Sequence, residues 1–314
     1  MKIYEIKLKP TSFFITPIQG DTLFGCLCWQ LHNIGADLDN LLNDYSSNPF
    51  MVVSSGFFLH EEGFIFPKPL CPDFYMFKAN DNQTDYKANK KKKFFRIYKD
   101  EVIITNELPF EEELKDFAYN TQQAHNSINR MTGTTDSDGE FAPFYTPSII
   151  YDTKGFVVVF AAIEERISKE TLKEIFENLG KTGYGKKASS GYGHFEVISC
   201  EESSLWKNDF SDCNALYTLA PFVLSETEIT NIKECFFQPI TKYGKHGGDK
   251  ALSEKPFKKP VIMADMASII SFKGGINTNK PYIGTAIEGT SYIDNKTVMQ
   301  GYALCLPCKL EEAK

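Results

Sequence analysis

The sequence predicts an α+β protein of two ferredoxin-like units, the second degenerate and strand-rich, with an insertion in the first. Three observations carry this. Outside residues 67–150, the first 200 residues read strand, helix, strand, then strand, helix, strand, the β-α-β-β-α-β order of that class. Beyond about Asp212 the pattern is mainly strands, with no long amphipathic helix. Between Pro67 and about Ile150 the regular patterning weakens. The expected boundaries are 1–205 for the first unit, 206–314 for the second, and about 67–150 for the insertion.

Each element has its own signal. Tyr4, Ile6 and Leu8 share one face of a first strand. Asp21 stands as the N-cap of a helix running to Ile34, with Leu23, Phe24, Leu27, Cys28 and Leu31 on its buried stripe; Gly35 ends it. Leu38 to Tyr45 is a short second helix. Gly56 to His60 and Gly63 to Phe66 form a hairpin turning at Glu61-Glu62. Pro67-Lys-Pro69 and Cys71-Pro72 then break the chain, and Asn80 to Asn89 is polar and loop-like. Lys90 to Lys93 precede Phe94-Phe95-Arg96, a mixture of positive charge and aromatics that also fits a solvated charge run. Phe110 to Tyr119 reads as a helix. Thr132 to Gly139 reads as a mobile tip, and the whole region as a projection from the fold. Phe156 to Ile163 is a continuous apolar run, the mark of a buried strand. Ser168 caps a helix to Leu179 whose stripe is Leu172, Ile175, Phe176 and Leu179. His194 to Cys200 is a strand. In the second unit the strands are Ala215 to Leu224, Cys235 to Lys242, Pro260 to Met263, Ser268 to Phe272 and Gln300 to Pro307.

Between the Ser168 helix and the His194 strand lies Gly183-Tyr-Gly-Lys-Lys-Ala-Ser-Ser-Gly-Tyr-Gly193. Four glycines sit in eleven residues, with two lysines, two serines and two tyrosines between them. Glycine lets another backbone approach closely. Lysine supplies a point charge, serine a hydroxyl, tyrosine a flat face. Together they suit a loop lying along a phosphate backbone, with Lys186, Lys187, Ser189 and Ser190 as donors and Tyr184 or Tyr192 as a stacking face. A plain turn needs only one or two glycines. Gly180-x-x-x-x-Gly185-Lys186 nearly spells the phosphate loop of nucleotide triphosphatases. That motif needs Ser or Thr next, and the chain has Lys187. It also needs strand before and helix after, and here the order is reversed.

The net charge is −7, which argues against a free-standing nucleic-acid binder but not against one whose acidic surfaces meet protein neighbours. No run of 18 apolar residues occurs, so no membrane-spanning helix is expected. The N-terminus alternates like a strand and is no signal peptide; the expected location is cytoplasmic. Eight cysteines are present. Cys305 and Cys308 have CxxC spacing, but the only second pair, Cys26 and Cys28, lies two apart on a helix, where side chains diverge. Free cytosolic thiols are the expected state, with no metal and no cofactor.

Four blocks occur in a fixed order: Thr16-Pro-Ile-Gln-Gly-Asp-Thr-Leu-Phe-Gly25, Asn126-Ser-Ile-Asn-Arg130, the loop from Gly183 to Gly193 with its strand, and Gln300-Gly-Tyr-Ala-Leu-Cys-Leu-Pro307. This combination resembles the RAMP superfamily, in its Cas-five-like group, and there the fourth-subunit family of the type III-A CRISPR effector, the Csm complex. The resemblance covers nearly the whole chain. It implies two ferredoxin-like (RRM-like) domains with a protruding thumb. It also implies a non-catalytic subunit at the base of the effector that grips the 5′ repeat-derived tag of the crRNA. The implied neighbours are the large polymerase-like subunit and a backbone RAMP subunit. Carried over by motif, the RNA contacts fall on Gln19 and Asp21, on Asn126 and Arg130, and on Gly183, Tyr184, Gly185, Lys186, Lys187, Ser189, Ser190, Gly191, Tyr192 and Gly193. The chain departs from the pattern at Ala267-Ser268, where Gly-Ser is expected.

Two other functions share parts of this reading. A metal-independent endoribonuclease acting on CRISPR precursor RNA needs a general base and a general acid, for which His32 and His125 are the candidates. Such enzymes usually carry their glycine loop near the C-terminus, whereas about 120 residues follow it here. The equivalent subunit of a Cmr-type complex shares the binding chemistry but not the partners.

Overall fold

The computed structural model describes residues 1–77, 87–88, 90–111, 118–136, 139–151 and 154–312. The first half contains β1 (Lys2–Pro10), α1 (Gly20–Asn33), α2 (Leu38–Asn43), β2 (Met51–Val53), β3 (Phe57–His60), β4 (Gly63–Pro67), β5 (Phe94–Ile97), β6 (Ile103–Ile104), β7 (Phe110–Glu111), β8 (Ala118–His125), β9 (Phe144–Tyr151), β10 (Phe156–Ile163), α3 (Lys169–Thr182) and β11 (Phe195–Glu202). The second half contains β12 (Ala215–Thr218), α4 (Glu226–Asn231), β13 (Ile232–Phe236), β14 (Pro239–Lys242), β15 (Val261–Ala264), β16 (Ile269–Phe272), β17 (Tyr282–Gly284) and β18 (Tyr302–Lys309). No helix among the described residues is long and apolar enough to cross a membrane.

The first sheet runs β11-β1-β10-β3-β4-β5-β7, with β2 also on β10. β10 is apolar on both faces and buried along nearly its whole length, flanked by strands and contacted by β18 of the second half. α1 and α3 pack together, and α3 lies against β11. Ser168 caps α3 by accepting the Thr171 N–H, and Leu172, Ile175, Phe176 and Leu179 are buried as their spacing predicts. α1 differs at its start. Its N-cap is Gln19, whose extended backbone accepts the first helical bond from the Leu23 N–H at 2.8 Å. Asp21 falls inside the first turn, buried.

The 67–150 stretch does not project as a whole. β5 and β7 extend the first sheet, and β6 pairs with β18 in the second. Phe95 and Ile103 are core residues. The expected helix from Phe110 to Tyr119 is not formed at either end. Phe110 pairs with Phe95 and packs on Phe77, and Tyr119 lies in β8, so sheet pairing overrides local propensity. Residues 112–117 between them, most of the 80–89 loop and part of the Thr132–Gly139 tip lie outside the described residues. β8 and β9 form a separate two-stranded ribbon, tied to the first unit by the Phe14–Ile149 bridge.

The second sheet runs β13-β16-β12-β18-β17. The expected strand from Ala215 ends at Thr218, and the one from Cys235 divides after Phe236. β14 leaves the sheet there and pairs with β15 as a ribbon of its own. The halves share one core. Gln300, fully buried, clamps β2 with both ends of its carboxamide: Oε1 accepts the Val53 N–H at 2.9 Å and Nε2 donates to the Val53 carbonyl at 2.8 Å. Cys305 and Cys308 face different cores across β18, so their CxxC spacing separates the sulfurs. All eight cysteines are free thiols.

Candidate nucleic-acid interface

The glycine loop is built on a narrow neck. A Cβ on Gly193 would lie 2.1 Å from the Tyr184 carbonyl oxygen, and one on Gly183 would lie 2.6 Å from that of Tyr192. The two sides of the neck touch backbone to backbone, which requires glycine on both. Gly185 presses on Thr16, whose Oγ1 accepts the Lys186 N–H at 3.0 Å. Gly191 faces open space and keeps only its left-handed φ of +88°. Ser189, Ser190 and Gly191 form the exposed crest, and the Lys186 side chain is exposed beside them.

Neither loop tyrosine offers a face, which corrects the expectation that one of them stacks a base. Tyr184 is 1% exposed; its hydroxyl donates to the Pro17 carbonyl at 2.9 Å and accepts the Gln19 N–H at 3.2 Å. Tyr192 is buried between the loop and the β8–β9 ribbon. Its hydroxyl donates to Gln123 Oε1 and accepts from His125 Nε2 at 2.9 Å. Both rings are pins that fix the loop, since an aromatic body with a polar tip can join apolar and hydrogen-bonded surroundings.

Exposed aromatics beside the loop lie on the ribbon, at positions with no stacking signal in the sequence. Phe144 and Tyr145 are 44% and 67% exposed. His125 stacks on Phe144 at 5.2 Å, and Lys187 Nζ sits 5.0 Å from the Phe144 ring centre while donating to Thr146 Oγ1 at 2.8 Å. Lys187 itself is left-handed, φ 59°. Loop and ribbon therefore present cations and aromatic faces on one connected surface, the combination that holds single-stranded nucleic acid. Asn126 follows the fastened His125 and is exposed; Arg130 is exposed in the turn beyond it.

Gln19 and Asp21 are engaged differently. Lys242, from β14 and only 14% exposed, reaches across and donates to Gln19 Oε1 and to Asp21 Oδ1, the latter at 3.0 Å. The carboxylate that motif matching assigned to RNA is thus committed to an ion pair between the halves. Lys242 opens a lysine- and glycine-rich run, Thr241-Lys-Tyr-Gly-Lys-His-Gly-Gly248, and nothing local in the sequence connects it to Asp21. The loop after β14 lies on α1, with a Cβ on Gly247 falling 2.6 Å from Trp29 Nε1. Lys258, in the same loop, is held below the usual lysine range, chiefly by burial. Ser268 is fully buried, with its N–H on Thr218 Oγ1 and its hydroxyl on the Asp265 carbonyl. Its predecessor Ala267 holds φ 64°, the conformation for which glycine is expected. His32 sits in the exposed last turn of α1 against Trp29, and His125 is bound to Tyr192 on β8.

The architecture has close counterparts. A chain of the "Csm1-Csm4 cassette in complex with cA4" matches with a TM-score of 0.61 at 14% identity, over 99% of this chain and 100% of that one. A chain of the "Csm3-Csm4 subcomplex in the type III-A CRISPR-Cas interference complex" matches with a TM-score of 0.60 at 14% identity, over 98% and 99%. At these identities the likeness is one of fold. Among curated protein sequences none matches this chain. The profile of the RAMP superfamily matches residues 9–196, from the end of β1 through the glycine loop to the start of β11. The match spans more than half of the sequence and contains the loop, the ribbon and α1, and on that ground the chain belongs to the RAMP superfamily.

Proposed function

We propose that this chain is a non-catalytic RNA-binding scaffold subunit of a type III-A CRISPR (Csm) effector, gripping the 5′ repeat-derived tag of the crRNA. It joins the large polymerase-like subunit to the backbone RAMP subunits in the cytoplasm. The observation that carries this is the glycine loop pinned to the ribbon, with Lys186 exposed and Lys187 poised over Phe144. Csm4 is the component common to the two similar structures, whose other members are Csm1 and Csm3. The ribbon acts as the thumb. Phosphates run along the loop crest, Phe144 or Tyr145 stacks a base, and Arg130 meets the strand beyond.

The strand orders support two ferredoxin-like units, 1–205 and 206–314. Read as strands four, one, three and two, the first is β11-β1-β10-β2 and the second β18-β12-β16-β13. In the second unit, α4 keeps six residues between strands one and two, while irregular chain replaces the other helix. That is the sense in which it is degenerate.

The test is to purify the chain with its neighbouring subunits and sequence any small RNA held by them. The expected species share one repeat-derived 5′ end. A complex assembled without RNA, or RNAs with random 5′ ends, contradicts the proposal. Alone, with or without magnesium, the protein is expected to leave repeat RNA intact.

A further inference from the structure

The β14–β15 ribbon is longer than its two strands. Past Lys242 the pairing continues: the Lys258 N–H donates to the Gly244 carbonyl at 2.8 Å, Lys245 bridges to Phe257, and the His246 N–H donates to the Pro256 carbonyl at 2.8 Å. Side chains alternate between its two faces. The inner face is committed to the protein. Lys242 bonds to Asp21, His246 is buried and shares a hydrogen bond with Ser291 Oγ at 2.9 Å, and Met263 is a core residue. On the outer face Thr241, Tyr243, Lys245, Phe257, Lys259 and Ile262 are exposed. Tyr243, Phe257 and Ile262 are 74%, 61% and 73% exposed, three large side chains on one face of one ribbon.

None of those six residues is acidic. From Thr241 to Ile262 the chain carries six lysines and two acidic residues, against a net charge of −7 for the whole. The charge gathers at one end of the face. Lys245 Nζ sits 5.7 Å from the Phe257 ring centre, and Lys259 and Lys255 sit 5.6 Å and 5.9 Å from that of Tyr292. At the other end Thr241 and Ile262, paired directly, are uncharged. A nucleic-acid strand needs cations along its whole path, and the Ile262 end offers none. An apolar centre with charge at its margin is the make-up of a protein interface, and lysines at that margin select carboxylates. Because the inner face is anchored, the outer face is formed before any partner arrives.

The RAMP profile ends at residue 196, so this face lies outside it. The backbone neighbour proposed above is itself a RAMP subunit. Related units stacked head to tail meet through the part they share, which leaves this face to the unlike neighbour. We infer that the outer face of the β14–β15 ribbon docks the large polymerase-like subunit, through an acidic segment that also carries an apolar side chain. This rests on the reading of the chain as an effector subunit, and adds the surface and the chemistry of one of its contacts.

The test uses the full chain, with the large subunit and the backbone subunit of the same effector titrated separately by calorimetry. Ile262→Asp places a carboxylate in the apolar end. Lys245→Glu with Lys255→Glu reverses the charged end, and thermal melts check the folding of both variants. Each should weaken binding of the large subunit by about 10-fold or more, the charge reversal most at low salt. Affinity for the backbone subunit and for single-stranded RNA should stay within about 2-fold. A zero-length carboxyl-to-amine cross-linker should join Lys245 or Lys255 to an Asp or Glu of the large subunit. Should Ile262→Asp misfold, the lysine pair and the cross-link decide. Unchanged affinity for the large subunit in the folded variants overturns the inference and leaves the functional reading standing. A selective loss of the backbone subunit, or of RNA, also overturns it and gives the face to that ligand. Failure of the wild-type protein to bind either subunit overturns the functional reading itself, and this inference with it.

Discussion

Gly193→Ala and Gly191→Ala separate packing from backbone conformation within one loop. Both residues hold left-handed φ values, +76° and +88°, and alanine there costs about 1–2 kcal/mol. At position 191 that is the whole cost, because an added Cβ meets nothing within 4 Å. At 193 the Cβ would lie 2.1 Å from Tyr184 O and 2.6 Å from Tyr184 N, so the neck must open. Opening it strains two backbone bonds, Tyr184 N–H to Gly193 O at 2.9 Å and Gly193 N–H to Phe13 O at 2.8 Å. Each is worth about 0.5–1.5 kcal/mol. Gly193→Ala should thus cost about 2–5 kcal/mol in total and Gly191→Ala about 1–2 kcal/mol. At roughly 2–4 °C per kcal/mol, the melting temperatures should fall by about 4–20 °C and about 2–8 °C. Scanning calorimetry reads both, with RNA binding measured on the folded fraction. Equal losses, or a larger loss for Gly191→Ala, would refute the closed-neck geometry. The same contrast sets positions 183, 185 and 193, where a Cβ meets neighbouring atoms within 3 Å, apart from 191, where only the backbone conformation resists a side chain.

Three more outcomes follow from buried polar groups. Lys242→Ala strands the Asp21 carboxylate, 8% exposed, and should cost about 3–5 kcal/mol by urea titration. Adding Asp21→Asn should restore most of it, and simple additivity would contradict the pairing. His246 is held below its ordinary value by burial, then by Lys258 and Lys250. The unfolded chain therefore binds the proton more readily, and stability should decline as pH falls below about 6.5. A His246→Gln protein with the same slope between pH 7.5 and 5.5 would contradict this. Tyr192→Phe removes the hydroxyl bonds to Gln123 and His125, at about 0.5–1.5 kcal/mol each. Amide exchange in residues 118–125 should accelerate, and unchanged protection would show that the ribbon is not pinned there.

Much of the fold was legible because it rests on local patterns. The α3 stripe, its Ser168 cap and the β3–β4 hairpin at Glu61-Glu62 follow from spacing and turn chemistry alone. The glycine loop was legible for the same reason. What its side chains do was not. Tyr184 and Tyr192 have the composition of stacking residues, but their hydroxyls find partners on segments 167 and 69 residues away, which draws the rings inward. Asp21 looked like a cap because caps are local, while its partner Lys242 lies 221 residues on. Phe144 and Tyr145 were not legible as exposed faces, because their exposure follows from β8 and β9 forming a ribbon separate from both large sheets. The 67–150 stretch misled through its weak periodicity: very short strands such as β6 and β7 take their structure from the sheets they join.

The central claim is that the loop between α3 and β11 holds RNA by its phosphates. The most direct measurement is a salt titration of single-stranded RNA binding for the wild-type protein and for Lys186→Ala with Lys187→Ala, with thermal melts as the folding control. Each lost phosphate contact should lower the slope of log K against log salt by about 0.7, so the double substitution should lower it by about 1.4 and weaken binding most at low salt. Identical affinity and slope in the two folded proteins would mean that the loop is only a turn.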